Sequence, residues 1–480
     1  MSGQRGFALL AGLVTVVALV CATIFAGVGA LGGGGGRDLG GGSGDRATAA
    51  GSGAGDGARD GAGTGTARGS GAGSDSGGEA GSGSGGGRAR TPVGSAAPVS
   101  ADAWVGTWAA APAGIEPGAP HGHAGRSLRN VVHTSIGGTA ARITLSNLFS
   151  RRALLIGRAS LAVSAGNGSA GAAPGTLRVV TFGKKRSVIV PPGGRVVSDA
   201  VRLRVPPDTD LLVTVHTPLP GGPVTYHPRA LRTSYTARGD RTLDGGGAPY
   251  TGRVPVWRYL TAVDVLNRRA RGSVVVIGDS ITDGVGSSYD ADRRWTDTLA
   301  DRVRDSGLGV LNAGISGNRV LRRNLAAGKG PSGVDRFGRD VLGQSGAEVV
   351  FVALGINDII GRPHETDPER IVAGLRSLTR QGRARGLRVV GSTLMPFGGS
   401  PRHSDAGEAV RDRVNEAIRA GRVFDRTVDF DRLLRDPYAP DRLRPDYDSG
   451  DGLHPSDAAY RAMGRFVDLG DLVGREPARL

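Results

Sequence analysis

The sequence predicts an α/β domain of three layers, helices on both faces of a parallel sheet, preceded by an antiparallel β-sandwich. Two changes of rhythm and one turn motif predict it. From about Trp104 to Val265, short alternating or apolar runs break at Gly, Pro and Asp, the pattern of half-buried antiparallel strands. After Arg271, apolar runs alternate with stretches of helical length, which implies parallel strands joined by right-handed crossovers. The first of those runs ends in Gly278-Asp279-Ser280-Ile281. Such a turn presents a serine at the carboxyl edge of the sheet, where open α/β sheets bind their ligands.

The chain has 480 residues, enough for more than one core, and divides into four segments. Residues 1–31 read as a membrane anchor or a signal peptide. From Gly6 to Leu31 no residue is charged, a run longer than a signal peptide's apolar region of about 7–15 residues and long enough for a span of about 20. Val28-Gly29-Ala30 nevertheless offers a small-residue cleavage site near Ala30. Either way the remainder is placed outside the cytoplasm, with the Arg5 end inside. Residues 32–99 are almost wholly Gly, Ser, Ala and Thr, too poor in apolar surface to offset the entropy of ordering, and read as a disordered linker. The one cysteine, Cys21, lies in the apolar run, which excludes internal disulfides and a cysteine metal site.

Residues 100–268 form the sandwich, with strands expected around 130–134, 141–146, 177–182, 187–190, 201–205 and 211–215. Arg142, Arg178, Arg202 and Arg204 fall at polar positions of the alternation, which places their charge on exposed sheet faces. The charge of +16 is concentrated here: residues 100–270 hold 21 Lys and Arg against 8 Asp and Glu, whereas residues 271–480 hold 32 against 30. This basic surplus reads either as a solvated Arg-rich surface, with only Lys184, Lys185 and Lys329 as lysines in the chain, or as a face suited to an anionic polymer or surface. Nucleic acid is excluded as a partner, since no aromatic-interleaved basic motif appears.

Residues 269–480 form the α/β domain, with strands expected at 273–277, 309–312, 348–354, 387–394 and 423–430. Helices are expected around 293–306, 333–344, 367–385, 405–420 and 456–468, the last capped by Ser456. Loops after parallel strands gather at one edge, so four short blocks should meet: Gly278-Asp279-Ser280, Gly314-Ile315-Ser316-Gly317-Asn318, Gly355-Ile356-Asn357-Asp358 and Asp451-Gly452-Leu453-His454. Serine is a weak nucleophile without a neighbouring base and a group that orients the base. His454 is the candidate base and Asp451 its orienter, as in a Ser-His-Asp arrangement. The Ser280 N–H, the Gly317 N–H and the Asn357 side-chain amide are the candidate donors to an oxyanion. Asp279 and Asp358 read as structural hydrogen-bond partners.

Taken together, the four blocks resemble the SGNH hydrolases, or GDSL-type esterases and lipases, with Ser280, Gly317, Asn357 and His454 at the four positions that name the family. The first block reads Gly-Asp-Ser-Ile in place of Gly-Asp-Ser-Leu. The resemblance spans about residues 271–470 and implies a flavodoxin-like sheet, ester hydrolysis through an acyl-serine, no metal and no cofactor. Trp104-Val105-Gly106-Thr107-Trp108 also resembles exported members that carry a β-rich domain and deacetylate polysaccharide. An exported esterase acting on short acyl esters of carbohydrate is therefore expected, with acetylated polysaccharide as the substrate partner. The alternatives are a lipase of the same family and a non-catalytic cell-envelope binding protein. A metal-dependent phosphodiesterase would need clustered ligands, whereas the eight histidines are scattered, His121 and His123 read as solvated, and only His454 is expected at the sheet edge.

Overall fold

The computed structural model describes residues 103–473, apart from 167 and 326–327. The expected apolar segment and the Gly-rich linker lie outside the described residues. Among the described residues no helix is long and apolar enough to cross a membrane.

Five strands make the parallel sheet: β1 (Gly272–Gly278), β2 (Leu308–Gly314), β3 (Ala347–Ala353), β4 (Arg388–Ser392) and β5 (Arg426–Val428). Their spatial order is β2-β1-β3-β4-β5, the flavodoxin-like order in which the chain reverses direction beside β1. β1 is buried along its whole length, which explains its unbroken run of valine and isoleucine. Gly278 at its end stands level with Gly314 of β2 and Ala353 of β3. Three loops therefore leave the sheet at the same height, and three of the four blocks begin there.

The helices are α1 (Ser280–Asp283), α2 (Trp295–Val303), α3 (Gly333–Phe337), α4 (Ile356–Ile360), α5 (Pro368–Ala384), α6 (Asp405–Arg419), α7 (Phe430–Leu434), α8 (Asp457–Phe466) and α9 (Leu469–Val473). Ser456 caps α8 by accepting from the Ala459 N–H. Two expectations run too long. The helix expected over 333–344 is α3 followed by a π turn at Gly338–Leu342. The strand expected to reach 430 stops at Val428, because Asp429 turns its carboxylate onto the Arg432 N–H and starts α7.

The N-terminal half is an antiparallel sandwich. One sheet contains Trp104–Ala109, Leu260–Leu266, Gly138–Ser146 and Val201–Val205 in that order, with Arg195–Val197 also paired to Gly138–Ser146. The other runs from Gly252–Val254 through Ser234–Arg238, Arg126–His133, Asp210–Thr217 and Arg158–Val163 to Arg178–Val180. Ile143, Leu203 and Val263 of one sheet share a core with Leu128, Leu161 and Val213 of the other.

Strand Trp104–Ala109 fastens the sandwich to the α/β layers. The Gly106 N–H donates to Ser345 O at 3.0 Å, and the Val310 N–H donates to Ser135 Oγ at 3.0 Å. A Cβ on Gly106 would lie 2.5 Å from the Leu311 side chain, so only glycine allows β2 to come this close. This junction corrects one expectation about charge. Arg178, Arg202 and Arg204 are exposed, but Arg142 is half-buried, paired with Asp264 at 2.8 Å and donating to Ser345 Oγ at 2.9 Å. Arg129, Arg232 and Arg258 are buried as well, so part of the basic surplus works inside the fold.

Candidate active site

The serine block owes its shape to three neighbours in sequence. Asp279 caps α1 by accepting from the Ile281 N–H at 3.1 Å, which leaves Ser280 as the first helical residue with an amide that has no intrahelical acceptor. Gly278 packs against the Thr282 side chain, where a Cβ would not fit, and Gly284 closes the helix with φ of 101°. Ser280 is buried, with 6 % of its surface exposed.

His454 reaches Ser280 from the loop before α8. Ser280 Oγ lies 2.9 Å from His454 Nε2, and His454 Nδ1 lies 2.6 Å from Asp451 Oδ2. A proton on Nδ1, donated to the carboxylate, leaves Nε2 as the acceptor of the serine proton. Asp451 Oδ1 also accepts from the His454 and Leu453 amides at 2.8 and 3.0 Å. Partial burial pushes the Asp451 carboxyl up, but those hydrogen bonds and the facing imidazole hold it below the usual carboxylate range. The loop is itself wound on Asp448, whose Oδ1 accepts from the amides of Gly450, Asp451 and Gly452.

The other two blocks lie beside the serine. Gly317 adopts φ of 74°, a left-handed conformation that glycine takes without steric cost. Asn318 anchors that turn by donating to Lys329 O and Pro331 O, both at 2.7 Å. Asn357 sits in α4, and its Nδ2 is buried without a hydrogen-bond partner. That amide is near enough to Asp279 to lower the acid's pKa, yet it closes no hydrogen bond of normal geometry. An unpartnered buried amide beside the Ser280 turn is a donor free for an acceptor. Asp279 and Asp358 serve the backbone, as expected: Asp358 accepts from the Val320 and Leu321 amides at 2.7 and 3.0 Å. Burial pushes Asp279 up to about 7 and Asp358 up to about 6.

Beneath this edge are supports that the sequence did not mark. Arg336 of α3, fully buried, donates to Gly278 O at 2.8 Å, Ala313 O at 2.7 Å and Asn318 Oδ1 at 3.0 Å. It ties the ends of β1 and β2 to the Gly317 loop. Asp283 of α1 accepts from the Ser316 N–H at 2.9 Å and the Ser316 hydroxyl at 2.6 Å. His227 of the sandwich lies 2.9 Å from Asp283 through Nε2 and 2.9 Å from Ala111 O through Nδ1. Both ring nitrogens face acceptors, so both carry protons and His227 is an imidazolium. Burial alone would lower the His227 pKa, but the Asp283 charge and these hydrogen bonds raise it, and they hold Asp283 below the usual range despite its own burial. The expectation that only His454 reaches the edge is thus incomplete. His227 arrives from the other half of the chain, and His364 and His403 line an adjoining cleft. His123 is not merely solvated, since it lies 2.9 Å from Glu116.

Among the described residues His133, Asp210 and Asp292 bring ligand-type atoms within 4.8 Å of one another. Arg232 pairs with both carboxylates, which gives the cluster a cation of its own. It joins the sandwich to the loop before α2.

Residues 276–462 match the GDSL-like Lipase/Acylhydrolase family. No curated protein matches the chain. Among solved structures, a lipolytic protein of the G-D-S-L family from Desulfitobacterium hafniense is 19 % identical, with 42 % of this chain and 98 % of that one covered and a TM-score of 0.33. A carbohydrate acetylesterase family member from Sinorhizobium meliloti is 16 % identical over 42 % of this chain and 99 % of that one, with a TM-score of 0.36. An aryl esterase from M. smegmatis is 20 % identical over 40 % and 94 %, with a TM-score of 0.32.

Proposed function

From the premise that residues 276–462 are a domain of the GDSL-like lipase and acylhydrolase family, we propose that the protein is a serine carboxylic-ester hydrolase acting through an acyl-Ser280 intermediate. The observation that carries this reading is the continuous hydrogen-bonded line from Ser280 Oγ through His454 to Asp451, at 2.9 and 2.6 Å. Ser280 Oγ attacks the ester carbonyl carbon while His454 Nε2 takes its proton, and Asp451 stabilises the imidazolium. The Ser280 and Gly317 amides and Asn357 Nδ2 receive the oxyanion. Collapse expels the alcohol with the proton held by His454. A water activated by the same histidine then frees the acid and restores the serine.

The substrate we propose is a short acyl ester on carbohydrate. The cleft beside Gly317 and Asn357 is lined by Arg, Lys, His, Asn and Ser, with Ile360 and Pro401 as its larger apolar members, which suits a polar polymer better than the long acyl chain of a lipase substrate. The apolar stretch 6–31 supports an extracytoplasmic protein, anchored in the membrane or secreted. The exposed Arg178, Arg202 and Arg204 support contact of the sandwich with an anionic polymer or surface. A purely binding role is disfavoured by the intact Ser-His-Asp line. The full chain should hydrolyse p-nitrophenyl acetate, and Ser280→Ala should lower the rate by at least about 10³-fold. Equal rates would remove the enzyme reading. A panel from acetylated xylan to long-chain p-nitrophenyl esters should show activity falling with acyl length.

A further inference from the structure

The cleft next to the oxyanion donors has a charge pattern that neutral ester hydrolysis does not require. Its volume is about 460 Å³, Gly317 and Asn357 form part of its wall, and Arg319, Lys329, Arg362, Arg402, His364 and His403 supply its basic groups. No Asp or Glu lines it. This stands out in an α/β half that carries nearly as many acids as bases. Just outside, Arg370 and Arg322 are paired with Glu365 at 3.1 and 3.8 Å. Within the cleft, none of Arg319, Lys329, Arg362 and Arg402 has an ion-pair partner among the described residues.

Two of these cations are held in place. Arg319 is 8 % exposed, and its Nη1 donates to Pro363 O at 3.0 Å. The Asp358 carboxylate faces Arg319 from beyond ion-pair distance and is itself engaged by the Val320 and Leu321 amides, so this largely buried guanidinium keeps donors free for an anion. The Lys329 stem lies on the oxyanion loop, since a Cβ on Gly317 would come 2.7 Å from Lys329 Cδ. Arg362 and Arg402 are exposed across the same opening, and His403 Nε2 is buried without a hydrogen-bond partner. Like charges converging on one opening repel one another until an anion enters, and a cleft lined by one sign of charge concentrates ions of the other.

We infer that the preferred ester carries a second, negatively charged group, a carboxylate or a phosphate, close to the scissile bond, and that Arg319, Lys329, Arg362 and Arg402 receive it. This rests on the reading of Ser280 as the nucleophile of an esterase. Guanidinium groups suit planar, multiply accepting anions, and the lysine adds a mobile point charge. The substrate class is then an acylated acidic carbohydrate or a comparable anionic ester.

The test compares the full chain on p-nitrophenyl acetate, mono-p-nitrophenyl succinate, 4-acetoxybenzoate, its methyl ester and 4-acetoxyphenyl phosphate. These place the anion in the acyl part, the alcohol part or nowhere. At low salt at least one anionic ester should exceed its neutral counterpart in kcat/KM by about tenfold or more. That ratio should fall about tenfold in the double variant Arg362→Gln/Arg402→Gln, and in the unaltered protein it should fall as salt is raised toward 1 M. Equal kcat/KM for anionic and neutral esters, or a preference that survives both the double variant and salt, would overturn the inference. If no ester is turned over, the esterase reading fails instead. The cleft is then judged by titrating succinate into the protein: binding lost in the double variant upholds the anion site, and no binding overturns it.

Discussion

Asp451 leaves 51 % of its side chain in water, whereas Asp283, on the other side of Ser280, leaves 4 %. The two carboxylates bracket the same site and are supported by opposite means. Asp451 belongs to a loop that holds itself: its hydrogen bonds go to Leu453 and His454, and the turn is wound on Asp448, all within a few residues. Asp283 is held by His227 and in turn holds Ser316, respectively 56 and 33 residues away in sequence. The first arm carries His454, the proposed base, and the second fixes the Ser280 turn and the Gly317 loop. Chemistry that must move a proton sits near water, while the geometry that must stay fixed is buried.

That contrast can be broken by comparing rate with stability. Asp451→Ala should lower kcat by about 10³–10⁴-fold, yet change unfolding free energy by no more than about 1 kcal/mol, because the Asp451 side chain is half in water. A large stability loss in a urea titration would show that the loop does not stand alone. His227→Ala should do the reverse. Removing one partner of a buried pair leaves Asp283 with only the Arg294 charge and Ser316 to stabilise it and costs about 3–5 kcal/mol, measured by the shift of the urea midpoint. An unchanged midpoint would mean that the two arms do not differ.

A pH dependence sharpens the buried side. Burial, with the Asp358 charge as a lesser cause, lifts the Asp279 carboxyl up to about 7. An acid whose folded pKa is raised favours folding while it is protonated, so its contribution is complete below about pH 4 and is lost as pH rises toward 7. The loss is at most about 1.4 kcal/mol per pH unit in that window. Asp279→Asn keeps an oxygen for the Ile281 amide and removes the titration. Its stability relative to the unaltered protein should therefore rise from pH 4 to pH 7 and level off above. A flat difference across that range would show that Asp279 titrates normally.

The same division explains what could be read from the sequence. The parallel strands were legible because each is an apolar run between helical stretches, and the α8 cap was legible because Ser456 stands directly before the helix it serves. The four blocks were legible because each follows its own strand or precedes the last helix. His227 was not. Its strand, Thr225–His227, has three residues, too few to show a period, and nothing near it in sequence points to Asp283. Arg336 was equally silent: its pairing with Asp340 at 3.2 Å is an ordinary i,i+4 contact of an expected helix, and its other three acceptors are backbone and side-chain oxygens far away in sequence. Arg142 misled because alternation distinguishes polar from apolar positions, not solvent from a second layer of protein.

The His227–Asp283 contact also bears on inheritance. The proposed triad and oxyanion donors all lie after residue 271, so they could be copied to another protein as that stretch alone. The copy would carry Asp283 without its imidazolium, at the foot of the serine turn. A recipient must then hold that carboxylate with Arg294 as its remaining cation, protonate it or tolerate a slack Ser316. The accessory sheets are in this sense a retained part of the hydrolase, and their loss from a descendant should be accompanied by a change at position 283.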